Sequence, residues 1–118
     1  MTRPLGMLFV GVLVSMTATT AQAQDLTGTW TSNGGSKIYI RQMGSEIYLY
    51  TEDAPVNPRG STVAFGSVRG NELHLKWADV SKGGNRNAGI MIWTVESDKK
   101  IVIKEKTGGY GENSAARD

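Results

Sequence analysis

The chain has 118 residues, no cysteine, one histidine and a formal net charge of +2. The missing cysteines exclude disulfides, thiolate metal sites and cysteine nucleophiles, and a single His74 excludes any multi-histidine metal centre. Near-balanced charge gives no electrostatic reason to expect a nucleic-acid partner.

The N-terminus carries the three zones of an export signal. Arg3 gives a positive start, Leu5 to Met16 is an apolar run, and Ala21-Gln22-Ala23 is a small-residue cleavage pattern. The apolar run is shorter than the roughly 20 residues needed to cross a bilayer. Residues 1–23 are therefore predicted to be a secretory signal peptide, with a secreted or periplasmic product and no membrane span after processing. Arg3 is the leader's only charge, so twelve basic residues face eleven acidic ones in the 95 that remain. That is the length of one small domain. Without disulfides, it must hold itself by apolar burial in a closed sheet or by association with another copy.

The rest reads as short alternating segments separated by turn residues. Thr27 to Ser32 carries Trp30, and Asn33-Gly34-Gly35 breaks it. Lys37 to Met43 sets Ile38 and Ile40 against Tyr39 and Arg41. Gly44-Ser45 is a tight hairpin signal, because glycine takes the positive φ such turns require. Glu46 to Glu52 alternates Ile47 and Leu49 against Tyr48 and Tyr50. A loop from Asp53 to Ser61 follows, with two prolines. Thr62 to Arg69 puts Val63 and Phe65 on one side, and Gly70-Asn71 signals another hairpin. Glu72 to Val80 sets Leu73, Leu75 and Trp77 against His74 and Lys76. After the loop from Ser81 to Asn87, Ala88 to Glu96 sets Ile90 and Ile92 against Met91, Trp93 and Val95. Lys99 to Lys106 carries Ile101 and Ile103.

Seven or eight strands joined in sequence predict an all-β antiparallel up-and-down meander closing into a small barrel. A two-sheet sandwich is the alternative. The expected barrel domain is 24–106. Residues 107–118 are poor in apolar side chains and read as a flexible tail or a short last strand containing Tyr110. A short last strand would leave an edge that could pair with a second copy, so a homo-oligomer is one expectation.

The meander sorts its loops. Tight turns fall at one end, and the long loops after strands three and five fall at the other. Long loops tend to carry function. The candidate rim holds Asp53, Arg59, Asp79, Lys82 and Arg86. His74 lies mid-strand with no nucleophile arranged around it, and adjacent Glu52 and Asp53 point to opposite faces of a strand. No catalytic residue, metal ligand or cofactor is predicted. Aromatic residues are the stronger signal: a barrel mouth lined by Trp and Tyr is a common small-molecule site, whereas Trp77 and Trp93 could instead simply fill the core. Tyr48 and Tyr50, on one face, could form a protein-binding patch.

Leu26-Thr27-Gly28-Thr29-Trp30, followed by Ser32 and Ser36, resembles the opening strand and turn of the avidin/streptavidin barrels. Gly28-Thr29-Trp30 also resembles the Gly-x-Trp that opens lipocalins. Trp77 ahead of a loop with Arg86-Asn87-Ala88, and Trp93 in the next strand, is a second echo. The resemblance implies a small secreted ligand-binding β-barrel of the calycin type. It would make Ser36 the ligand-binding serine, Tyr48 or Tyr50 the strand-three tyrosine, and Trp77 and Trp93 the pocket tryptophans. Ser32 stands where the avidin pattern has asparagine, and the tail after Lys106 lacks that family's closing tryptophan- and aspartate-bearing strands.

The functional expectation is a non-enzymatic binding module that holds a small, partly apolar ligand at the open end of the barrel, gripped by Trp77, Trp93 and Tyr50. The alternative is a protein-interaction domain, such as an inhibitor of a secreted hydrolase, using the 53–61 and 81–87 loops.

Overall fold

A computed structural model describes residues 24–52, 60–80 and 86–118. Asp53, Arg59, Lys82 and the predicted leader lie outside the described residues. The chain forms β1 Gly28–Ser32, β2 Lys37–Met43, β3 Glu46–Glu52, β4 Ser61–Arg69, β5 Glu72–Asp79, β6 Ala88–Ser97, β7 Lys100–Lys106 and β8 Ser114–Arg117. Each strand pairs antiparallel with its neighbours in sequence, and β8 pairs with β1, so the sheet is a closed barrel. The predicted all-β meander is the observed fold, and the sandwich alternative is not.

Alternation decides which side is inside. On β3, Ile47, Leu49 and Thr51 are buried while Tyr48 is exposed. On β5, Leu73, Leu75 and Trp77 point in. Trp30, Ile38, Ile40, Met91, Trp93 and Ile101 complete most of the interior, so the barrel is filled by side chains. Each large aliphatic or aromatic group buried there stabilises the fold by roughly 1.5–3 kcal/mol. The width is matched locally. Trp77 sits between Ala64 on β4 and Gly89 on β6, and these small residues make room for the indole. This sends Val63 and Phe65, the larger residues of β4, to the outer wall.

The tight hairpins use Gly44 (φ +62°) and Gly70 (φ +63°), both in the left-handed region closed to most L residues. At the same end, the segment before β1 seals the floor. Leu26 is buried, its amide donates to Gln42 Oε1 at 3.0 Å, and its carbonyl accepts Trp30 Nε1–H at 3.0 Å.

Of the two readings of 107–118, the short last strand is the observed one: Ser114–Arg117 closes the barrel, which therefore extends past residue 106. No sheet edge is therefore left for a second copy to pair with. β8 buries only Ala115, and its hold is polar. Arg117 donates to the carbonyls of Asp98 (2.7 Å), Thr27 (3.0 Å) and Asp25 (2.8 Å), and its guanidinium lies 4.7 Å from the Trp30 ring centre. Asp118 accepts from Thr31 Oγ1 at 2.5 Å and Lys37 Nζ at 2.6 Å, which hold its carboxyl below the usual carboxylate range, Lys37 most of all.

Gly66 marks the sharpest constraint in the wall. A Cβ there would stand 1.8 Å from the backbone carbonyl oxygen of His74 on β5. Backbone cannot move aside as a flexible side chain does. Gly66→Ala is expected to lower unfolding free energy by about 1–3 kcal/mol. Urea titration followed by tryptophan emission measures it, and an unchanged midpoint would show that β4 has slack at this point.

Candidate functional site

The loop-rich end is built on side chains that terminate β3, β4 and β5. Thr51 and Thr62 are cross-strand partners, both buried. Asp79, at the end of β5, ties its loop down. Its carboxylate accepts from Thr62 Oγ1 at 3.1 Å and from the amide of Asn87 at 2.9 Å. The Asp79 amide donates to the Asn87 carbonyl at 2.8 Å.

Residues 107–113 cross the mouth. The Thr107 amide donates to Ile90 O at 2.9 Å, the Ile90 amide to Thr107 Oγ1 at 3.0 Å, and Trp77 Nε1 to Thr107 O at 3.0 Å. Gly108 follows with φ +82°, and a Cβ there would meet Ala88 O at 2.1 Å. Only glycine allows so close a crossing, and the crossing lets Tyr110 drop into the barrel. The Tyr110 ring lies 5.4 Å from that of Trp77 at 59° and 6.3 Å from that of Trp93 at 43°. Its hydroxyl and Thr51 Oγ1 share a hydrogen bond at 3.0 Å. Beyond Tyr110, Glu112 accepts from Ser36 Oγ at 2.9 Å. Asn33 Oδ1 accepts the amides of Asn113 (2.9 Å) and Ser114 (3.1 Å) and fixes the far end of the loop.

Between these elements lies a cleft of about 210 Å³. Trp77 and Tyr110 line it together with Thr51, Thr62, Asp79, Asn87 and Glu112. No ion pair joins Asp79 or Glu112 to another described residue. The wall is thus mostly polar and acidic over an aromatic floor. No group of three His, Asp or Glu side chains suited to a metal ion occurs among the described residues.

The predicted site residues separate into three places. Trp77 and Asp79 line the cleft. Ser36 stands behind it and orients Glu112. Arg86 is exposed beside Asn87 on the β5–β6 loop. Trp93 is fully buried and lines no part of the cleft, and its Nε1 is a buried donor without a partner. That orphan costs on the order of 1–3 kcal/mol, so packing sets the position of this indole. Tyr48 and Tyr50 are set apart from the mouth altogether. They take the outward positions of β3, where Tyr50 stacks on Tyr39 at 6.2 Å and Tyr48 donates to Glu46 at 3.1 Å. The inward positions of that strand are occupied by Ile47, Leu49 and Thr51. Tyr110 and Glu112 are additions that the sequence reading did not place at the mouth. The signal for them was the Gly108-Gly109 pair ahead of an isolated aromatic residue.

His74 is on the outer wall, where Nε2 contacts Glu72 Oε1 at 3.0 Å. Lys104, at 2.8 Å, and His74 hold the Glu72 carboxyl below its ordinary range. Ser67 faces His74 across the strands, but no hydrogen bond joins them and no described cleft covers them. No protein-family model, curated protein or solved structure matches the chain.

Burial pushes the Tyr110 hydroxyl well above the ordinary tyrosine value; the Thr51 hydrogen bond opposes this and the Glu112 charge adds to it. The raised folded value means that the native state keeps a proton which the unfolded chain gives up near pH 10. The stability that Tyr110 contributes is complete below that pH and is lost as pH rises further. Denaturation midpoints should therefore be flat up to about pH 9 and fall above it, and Tyr110→Phe should flatten that fall. Equal alkaline sensitivity in both proteins would remove Tyr110 as the cause.

Proposed function

We propose that this protein is a secreted or periplasmic, non-enzymatic binding module that holds a small ligand in the cleft at the loop-rich end of its barrel. One observation carries the reading. The cleft is lined by the buried, mutually packed rings of Trp77 and Tyr110 and by a ring of polar groups that converge on it. A few placed polar groups over a flat apolar surface are what orient a small molecule. Size narrows the ligand. About 210 Å³ is smaller than the ~300–1,000 Å³ of drug-sized sites and holds on the order of seven waters. With the interior filled, a fatty acid or a haem has nowhere to lie. The ligand is instead a compact molecule with one flat or apolar face for Trp77 and a hydrogen-bonding edge for Asp79, Asn87 and Glu112.

The eight-stranded meander is the architecture shared by the avidin- and lipocalin-like barrels that Gly28-Thr29-Trp30 resembles. Kinship with either belongs to this proposal. So does the absence of catalysis, which is favoured by the lone histidine standing on the outer wall, remote from the cleft. The rival reading, an inhibitor of a secreted hydrolase, rests on loops that lie largely outside the described residues.

Tryptophan emission during a screen of small ring-bearing metabolites tests the reading, with biotin, fatty acids and haem included as comparisons. One compound should quench or blue-shift the emission. Trp77→Phe should abolish the response, and Asp79→Asn should weaken binding about tenfold, or ~1.4 kcal/mol. A response that survives Trp77→Phe places the ligand elsewhere, and silence across the panel sinks the proposal.

A further inference from the structure

The outer wall carries a second surface that the cleft does not use. Register places Tyr39, Tyr50, Val63, Ala78 and Ala88 side by side across β2 to β6. No charge interrupts that row. The next row runs Arg41, Tyr48, Phe65, Lys76, Ile90. Five of these apolar side chains are strongly exposed: Tyr39 43%, Tyr48 45%, Val63 39%, Phe65 54% and Ile90 57%. Tyr39, Tyr48, Val63 and Phe65 take neighbouring outward positions on β2, β3 and β4 and form one patch with Tyr50, whereas Lys76 separates Ile90 from Phe65.

We propose that this patch is the contact face of a homodimer, with a second copy of the chain as its occupant. Area is the first argument. With aromatic side chains at ~150–250 Å² each, the exposed fractions of this patch amount to roughly 400 Å² of largely apolar surface. A standard interface buries about 800 Å² per partner, some 56–65% of it apolar, and the patch would supply most of that apolar share of roughly 450–520 Å². Apolar patches of this size are often functional.

Composition is the second argument. Interface centres are rich in Tyr, Phe and Arg and poor in Lys, Glu and Asp. Within the two rows, Lys76 is the one Lys, Glu or Asp, and from β5 it flanks Phe65 at the edge of the patch. Charge is the third argument, and it selects the partner. Arg41 and Lys76 border the patch with positive charge, and Glu46 borders it with negative charge on the side of the tight hairpins. An isologous contact brings a surface against itself, so charges of both signs at its border can pair across the two-fold axis. An acidic polymer or an anionic membrane would select one sign. Closure of the barrel removes strand-edge pairing as a route, so association must use a face.

Sedimentation equilibrium of the purified protein over about two decades of concentration, up to roughly 100 µM, tests the proposal. The mass should rise to twice that of the chain. Phe65→Glu should raise the dissociation constant at least tenfold while leaving far-UV dichroism unchanged, because the side chain points to solvent. A second variant covers the case in which the glutamate unfolds the wall. The chain has no cysteine, so Phe65→Cys places a single thiol, and a short bis-maleimide should link it to its copy in high yield. Thr107→Cys, outside the patch, should not link. Three results overturn the proposal: a monomer at every concentration, a dimer indifferent to Phe65→Glu, or a monomer whose patch instead captures lipid vesicles or an insoluble glycan.

Discussion

Closure of this sheet rests on very little chain. β8 is four residues long, yet it pairs on one side with β1 and on the other with β7. A cysteine-free domain of this size has only apolar burial to hold it, and an open sheet would leave two unpaired edges and a half-covered core. The ladder to Trp30, Thr31 and Ser32 removes both problems together. Arg117 reinforces it by reaching three backbone carbonyls, two of them in the segment under the floor. The guanidinium also lies over the edge of the core at Trp30, where its weak hydration suits a half-buried place. The last strand is thus held by directional polar contacts more than by buried area.

Closure then limits where function can sit. Three tryptophans, Tyr110 and the aliphatic residues fill the barrel from Leu26 at the floor to Tyr110 at the mouth. A ligand-carrying barrel of the same strand number can keep its interior hollow; here the large side chains and their small partners, Ala64 and Gly89, consume that space. What remains is the shallow cleft above Trp77 and the exposed aromatic patch on the wall. They lie on different surfaces and make opposite demands. The cleft must stay wet and accessible, whereas the patch gains only when it is covered.

Much of this was legible in the sequence. Period-two alternation from Trp30 to Ile103 marks seven strands, because each has one apolar face and one mixed face. Trp77 and Asp79 could be placed at the loop-rich end by counting from the Gly70-Asn71 hairpin. The eighth strand was legible only as one of two readings of the tail, for a physical reason. Only Ala115 of β8 faces inward, so no apolar period announces it, and Arg117 and Asp118 read as solvated charges until their partners are known. Tyr110 was hidden because one aromatic residue after Gly108-Gly109 has no periodicity to display. Tyr48 and Tyr50 could be read either as pocket residues or as a surface patch, because alternation gives two faces without saying which is inner. The aliphatic pair Ile47 and Leu49 decides it only once the neighbouring strands are in place.

The loop over the mouth ties these points together. It is anchored at Thr107 to β6 and Trp77, at Tyr110 to Thr51, and at Asn113 and Ser114 to Asn33. The last anchor leads directly into β8. A ligand that expelled Tyr110 would have to break the Thr51 bond, strip two ring contacts and strain the start of the closing strand. A ligand that rests on Tyr110 and Trp77 meets a surface already ordered by the fold and forgoes little entropy there. The same anchors that close the barrel therefore favour shallow occupancy of the cleft over entry into the core.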